Sequence, residues 1–220
     1  TRRHQGIDSR NYDFLWTVGG FHYLFISIWL TPEVLKRDFV LVYKDDVHTC
    51  YVSKAERRIL GEEGYAFYTK GFRSYKKRIS NQILSSAKFF ETEEQKDLSK
   101  LPNKELTKNF RLAVKECQKL WQLYFWTEYF CTDKIAAEVL AGGKNSEMLA
   151  SSVKEMGALK YELRRLLNQA GLLSSGLLKR YCSEFSNRLS LSYDKVIQYH
   201  FEEIIDALLN RKVNVPDRST

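Results

Sequence analysis

The residues best suited to chemistry in this chain are a run of cations that no acidic residue interrupts. The six basic side chains between positions 70 and 88 are Lys70, Arg73, Lys76, Lys77, Arg78 and Lys88. At helical spacing Lys70, Arg73, Lys76 and Lys77 share one face, opposite an apolar stripe. Three uses of this face are open: ordinary solvation, binding of nucleic-acid phosphates, or contact with an acidic partner domain. The candidate anion or partner surface consists of Lys70, Arg73, Lys76, Lys77 and Arg78.

Few other spacings suggest catalysis or metal binding. His48 and Cys50 would point to the same side of a predicted strand, and Glu203 would reach His200 on a predicted helix. Neither pair has a third group at ligand spacing, so a core or surface role is favoured for both. The sequence has no H-E-x-x-H, no G-x-S-x-G and no glycine-rich phosphate loop. It therefore predicts no catalytic residue, no bound metal and no cofactor.

Aromatic side chains crowd one short segment of the chain. Six of the ten residues from 121 to 130 are aromatic: Trp121, Tyr124, Phe125, Trp126, Tyr129 and Phe130. Rings at these positions surround most of a helix, which is typical of a central, buried helix. A partner-docking surface is the first alternative, and the second is a small-molecule pocket lined by Trp16, Trp121 or Trp126. Glu128 is the only carboxylate in the segment and is expected to face a gap or a basic partner.

Charge and cysteine content suggest a basic protein of a reducing compartment. The formal net charge is +8, which suits anionic partners. The four cysteines, Cys50, Cys117, Cys131 and Cys182, are widely spaced and are expected to be buried thiols. The most apolar run, Phe21 to Leu30, is shorter than the roughly 20 residues of a membrane span. We expect a cytoplasmic protein without a membrane segment or signal peptide.

The elements that must position these residues fall into two groups. Residues 1–53 contain β-like runs at 12–18, 21–29, 39–43 and 47–52 and are predicted to form a small antiparallel sheet, with a turn at Asp45-Asp46. A capping box at Ser53 and Glu56 then begins a helical region, 54–212, and residues 213–220 are a tail or linker. The predicted helices are 54–69 with an interruption around Gly61 and Gly64, 72–90, a short segment from Thr92, 103–142 capped by Asn103, 146–170, 175–188 and 192–212. The fold class is α+β: a small N-terminal antiparallel sheet followed by a larger helical bundle.

Several of these helical segments resemble a known family. The segments are Asp97–Leu106, Leu120–Phe130, Ser190–Tyr193 and Phe201–Leu209. They resemble the helical region that precedes the swivelling phosphohistidine domain in phosphoenolpyruvate-utilising enzymes similar to phosphoenolpyruvate synthase. The resemblance extends over roughly residues 55–215, and its motifs are helical and degenerate.

The resemblance implies an accessory role. The family's T-S-H-type phosphohistidine motif and its ATP-grasp domain have no counterpart in this sequence, so no catalytic residue carries over. The expected function is a non-catalytic scaffold or linker that positions a carrier domain, with ATP-grasp and phosphohistidine domains as partners in the same or a neighbouring chain. The alternatives are a nucleic-acid or anionic-ligand binding module that uses residues 70–88, and a small-molecule enzyme with an aromatic-lined pocket.

Overall fold

The computed structural model describes residues 10–19, 22–44, 47–128, 133–172, 176–210 and 213. The N-terminal part contains β1 (Tyr12–Gly19), α1 (Tyr23–Trp29), α2 (Pro32–Leu35), β2 (Phe39–Lys44) and β3 (Val47–Ser53). The helical part contains α3 (Lys54–Ala66), α4 (Phe72–Glu94), α5 (Asn103–Phe125), α6 (Asp133–Leu140), α7 (Ser146–Leu167), α8 (Leu177–Leu189), α9 (Tyr193–Val196) and α10 (Phe201–Asn210). A small sheet followed by a larger helical part confirms the predicted α+β class.

The sheet is antiparallel throughout and has the order β1-β3-β2. Strand β3 lies in the centre, where Cys50 is opposite both Trp16 of β1 and Leu41 of β2. Cys50 and Val52 are buried on the inner face of the sheet, in one cluster with Leu60 of α3. The predicted strands at 39–43 and 47–52 are confirmed, and the predicted turn at Asp45-Asp46 lies outside the described residues.

The predicted strand over Phe21–Trp29 is wrong, because Tyr23–Trp29 forms the helix α1. Its five successive residues from Leu24 to Ile28 are all buried, so the segment has no polar face. Leu24, Phe25 and Ile28 belong to the core of the helical bundle, and α1 packs against α5 and α10. Enclosure by neighbouring helices has therefore overridden a local preference for strand.

The helical region begins at Ser53 as predicted, but only one of the two hydrogen bonds of the predicted capping box forms. The Ser53 hydroxyl accepts a hydrogen bond from the Glu56 N–H at 3.1 Å, which confirms the predicted N-cap. The reciprocal half of the capping box is absent, because the Ser53 N–H donates to the Asp38 carbonyl. The Glu56 carboxylate instead accepts from Arg37 at 3.1 Å, which ties α3 to the segment before β2.

The junction between α3 and α4 is a π-helical turn, Phe67–Gly71, rather than an interruption near Gly61 and Gly64. Helix α4 runs on to Glu94, so the helix predicted to start at Thr92 is wrong. The Thr92 hydroxyl donates to the Lys88 carbonyl at 2.9 Å inside α4. A threonine hydroxyl that donates to the carbonyl of the preceding turn has its hydrogen bond inside the helix, so Thr92 is not an N-cap.

The single helix predicted over 103–142 is also wrong, because α5 ends at Phe125 and α6 begins at Asp133. Asn103 is the first residue of α5, and Pro102 is its N-cap. The Asn103 amide donates to the Leu208 carbonyl at 3.0 Å and accepts from Arg188 at 2.7 Å. Its side chain therefore binds α8 and α10 instead of capping its own helix.

The C-terminal helices follow the predicted order with one difference. The predicted helices 146–170 and 175–188 correspond to α7, with a π-helical turn at Asn168–Leu172, and to α8. Gly171 lies inside this turn with φ 116°, a non-helical conformation that favours glycine and kinks the chain there. The helix predicted over 192–212 is divided into α9 and α10, because residues 197–200 are not helical.

Candidate functional site

Helix α4 presents the predicted cations to solvent. Its buried side carries Phe72, Tyr75, Ile79 and Phe90. All five candidate residues, Lys70, Arg73, Lys76, Lys77 and Arg78, are exposed. The amphipathic arrangement follows from the spacing of three and four between the apolar residues.

Most of this charge has no partner within the described part of the chain. There, Lys76 alone of the five forms an ion pair, with Glu155 of α7. The pair joins two exposed side chains, so it contributes little to stability. The other four cations leave a local positive field that an anion or an acidic surface could occupy.

The ring cluster is the second candidate, and it lies where the sheet meets the bundle. Trp16 of β1, Trp29 of α1 and Trp121 of α5 pack edge to face, with ring centroids 5.6 Å and 6.4 Å apart. Trp126 stacks on Phe67 at 5.4 Å with an angle of 11° between the rings. All four tryptophans of the chain therefore lie at this contact, which we call the ring junction.

The C-terminal end of α5 is capped by side chains from other elements. The Tyr75 hydroxyl donates to the Leu123 carbonyl, and the Tyr68 hydroxyl donates to the Trp126 carbonyl at 3.4 Å. The Lys160 ammonium of α7 donates to the Thr127 carbonyl at 3.2 Å. The last carbonyls of a helix lack partners within the helix, so these three donors hold the end in place.

A polar group surrounds Tyr124 and Glu128 at the same end of α5. Arg164 donates to the Tyr124 hydroxyl through Nη2 at 2.6 Å and Nε at 3.2 Å. The Lys160 ammonium lies 3.8 Å from the Glu128 carboxylate. Burial raises the pKa of Glu128 above its usual range, and the positive charges of Lys160 and Arg164 act in the opposite direction. Glu128 thus faces basic side chains, as expected.

The polar group around Tyr124 and Glu128 forms a structural network. Burial also raises the pKa of Tyr124, and Arg164 opposes the shift by donating to its hydroxyl. Each cation of the group is within bonding distance of a backbone carbonyl, a phenol or a carboxylate of the α5 end. These bonds join the end of α5 to α7.

One gap in the described part of the chain is apolar and too small to hold a water molecule. It is lined by Phe25, Ile28, Cys117, Trp121, Leu167, Ala170 and Leu178. A ligand pocket normally has a volume of some 300–1,000 Å³ with a few convergent polar groups. This gap therefore lacks the volume and the polar groups of the expected aromatic-lined pocket.

The other chemistry-bearing residues lie in structural contacts. His48 is buried and stacks on Tyr43 at 4.4 Å, while burial raises the pKa of Cys50 to about 12. The Glu203 carboxylate accepts from the His200 N–H at 2.7 Å, a bond across the start of α10. Neither predicted pair is arranged for acid–base chemistry.

The described cysteines, Cys50, Cys117 and Cys182, are buried thiols. Burial also raises the pKa of Cys117 and of Cys182 to about 12, so none of the three is a thiolate near neutral pH. Cys131, like Tyr129 and Phe130, lies outside the described residues. Among the residues that are described, no group of histidine, cysteine, aspartate and glutamate could hold a metal ion.

Sequence reasoning missed the parts of the site that depend on distant residues. Lys160 and Arg164 meet Tyr124 from 36 and 40 positions away, and no local pattern in α7 indicates that contact. Leu84, with 71% of its surface exposed on α4, was also missed. The exposure of Leu84 could have been predicted from the sequence, because Leu84 lies at helical spacing within the row of cations.

Comparison with known proteins adds no relative: no family model, curated protein or solved structure matches the chain. No helix in the described ranges is both long enough and apolar enough to span a bilayer.

Proposed function

We propose that the chain is a non-catalytic scaffold in a phosphotransfer protein similar to phosphoenolpyruvate synthase, where it positions a carrier domain. The observation that carries the proposal is the ring junction. Edge-to-face contacts from Trp16 through Trp29 to Trp121 connect the sheet, α1 and α5, and each such pair contributes about 0.5–1.5 kcal/mol beyond burial. A scaffold must hold its attachment points at fixed positions, and this packing suits that task.

Further contacts extend the same rigid connection. Arg37, before β2, donates to Glu63 of α3 at 2.6 Å and lies 6.0 Å from the centre of the Phe125 ring. The hydroxyls of Tyr68 and Tyr75 hold the end of α5 from the α3–α4 junction. The sheet, the π-helical turn and α5 are thus joined through one set of side chains.

The phosphotransfer context comes from the resemblance of the helical segments, and the partners of the proposal are an ATP-grasp domain and a phosphohistidine domain. A cytoplasmic location belongs to the same proposal, because buried cysteine thiols suit a reducing compartment. Catalysis would reside in those domains. The chain would raise the effective concentration of the carrier at each active site, to millimolar levels for a short tether.

The test begins with the native reading frame and its neighbours, which should encode both partner domains. The purified domains are then supplied with radiolabelled ATP or phosphoenolpyruvate, with and without this chain in its native linkage. We expect label on the phosphohistidine domain only, and transfer at least about tenfold faster with the linked chain. Label on this chain, or a locus without either domain, would contradict the proposal.

A further inference from the structure

One stripe of α4 combines exposed cations with an exposed leucine. Arg73, Lys77, Leu84 and Lys88 follow one another at intervals of four, seven and four residues. These intervals bring them onto one side of the helix, along about 22 Å of its axis. All four side chains are exposed, and Leu84 has 71% of its surface in solvent. We call these four residues the α4 ridge.

The ridge carries three cations that no carboxylate of the described residues neutralises. Some cations elsewhere are held by carboxylates, as in Arg37–Glu63 at 2.6 Å and Arg188–Glu184 at 2.6 Å. Within the described ranges, Arg73, Lys77 and Lys88 have no ion-pair partner. The nearest cation that has one is Lys76, on the flank of the ridge next to α7. Three cations in one row would attract a row of negative charges.

The exposed Leu84 distinguishes between a protein and a nucleic acid as the ligand of the α4 ridge. An apolar side chain between charges matches the anatomy of protein interfaces, where an apolar centre lies inside a charged rim. A phosphate backbone offers such a leucine nothing to pack against. Single-stranded nucleic acid would need aromatic rings for base stacking, and the exposed residues from Lys70 to Lys88 include none.

We propose that the α4 ridge is the docking surface for an acidic helix of a partner protein, with Leu84 as its central apolar contact. Carboxylates at helical spacing on the partner would meet Arg73, Lys77 and Lys88. An apolar side chain between those carboxylates would cover Leu84. The proposal rests on the scaffold role, but its test uses no phosphotransfer domain, so the failure of one is distinguishable from the failure of the other.

The probe is a fluorescent helical peptide of about six turns, with glutamates along one stripe and a leucine at its centre. Binding is measured by fluorescence anisotropy in about 50 mM salt, where surface charges are weakly screened. Neutralising the ridge with Arg73→Gln, Lys77→Gln and Lys88→Gln should weaken binding about tenfold, and Leu84→Ser should weaken it roughly fivefold. A peptide with glutamine in place of glutamate should bind at least about tenfold more weakly to the unmodified chain.

A matched control comes from α5, where Lys104, Lys108 and Lys115 are exposed. Changing these three to glutamine removes the same charge from another helix and should leave peptide binding within about twofold. Equal losses from the α4 and α5 variants would overturn the proposal, because the binding would then follow net charge alone. Circular dichroism and the thermal midpoint confirm that each variant is folded.

Three other occupants are outcomes of the same test. Duplex DNA or anionic lipid vesicles that bind more tightly than the peptide, and independently of Leu84, would overturn the proposal. Sedimentation would detect a second copy as a larger mass that the α4 variant abolishes. That result would also overturn it, because the occupant would then be this chain.

Discussion

The surroundings of the Glu128 carboxyl group disfavour its ionised form. It lies at the end of α5, where burial raises its pKa and Lys160 at 3.8 Å only partly offsets that effect. A carboxyl group with a raised pKa favours the folded state when protonated. Its contribution to stability is therefore present at low pH and is lost as pH rises from the ordinary glutamate range through the folded-state pKa.

The substitution Glu128→Gln tests this sign. The amide keeps the size of the side chain and removes the ionisation, so the variant should gain stability relative to the parent as pH rises from about 4 to 7. Denaturant unfolding at several pH values measures the difference in unfolding free energy. Glu91→Gln, at an exposed position of α4, controls for the loss of one negative charge. A difference that is constant or falls with pH would show that the shift has the opposite sign or is absent.

At the scale of elements, the end of α5 is defined by groups that come from elsewhere in the chain. The π-helical turn Phe67–Gly71 inserts a residue into the helical register before α4. Phe67 then stacks on Trp126, and the Tyr68 and Tyr75 hydroxyls reach the Trp126 and Leu123 carbonyls. The ring cluster therefore marks where a helix ends, although its sequence suggests the middle of one.

Loss of the Tyr75 hydroxyl, which donates to the Leu123 carbonyl at the end of α5, should lower the stability of the protein. Tyr75→Phe leaves the Leu123 carbonyl without the hydroxyl donor while keeping the ring, and should lower the free energy of unfolding by about 1–2 kcal/mol. The control is Tyr161→Phe, since Tyr161 is 70% exposed on α7. It should change stability by less than about 0.5 kcal/mol. Equal effects of the two substitutions, measured by urea unfolding, would show that the Tyr75 bond contributes nothing specific.

Local patterns predicted the elements whose signals are local. The strands β2 and β3, the Ser53 cap and the cationic side of α4 follow from alternation, capping chemistry and helical spacing. The helix α1, the end of α5 and the Asn103 contacts depend on residues far away in the chain, so tertiary burial and distant hydrogen bonds decide them. For the candidate site, the sequence predicted the cations of α4 but not Leu84 or the network around Tyr124.

Across the whole molecule, the ring junction joins the sheet to the bundle, and we expect the two to behave as one rigid unit. Phe125 and Trp126 contribute to this connection directly. Phe125 lies in the sheet core, and Trp126 packs against both clusters of apolar residues. Helix α1, between β1 and β2 in the chain, lies in the bundle core, so the chain passes from one layer to the other and back. A unit connected in this way should unfold cooperatively.

Two unfolding curves recorded on the same sample show whether the sheet and the bundle unfold together. Tryptophan fluorescence reports the ring junction, because all four tryptophans lie there, and far-ultraviolet circular dichroism reports the helices. In a urea titration the two signals should give the same midpoint and the same slope, within experimental error. A fluorescence transition at clearly lower urea than the loss of helical signal would contradict the account, because the sheet would then separate from a bundle that remains folded.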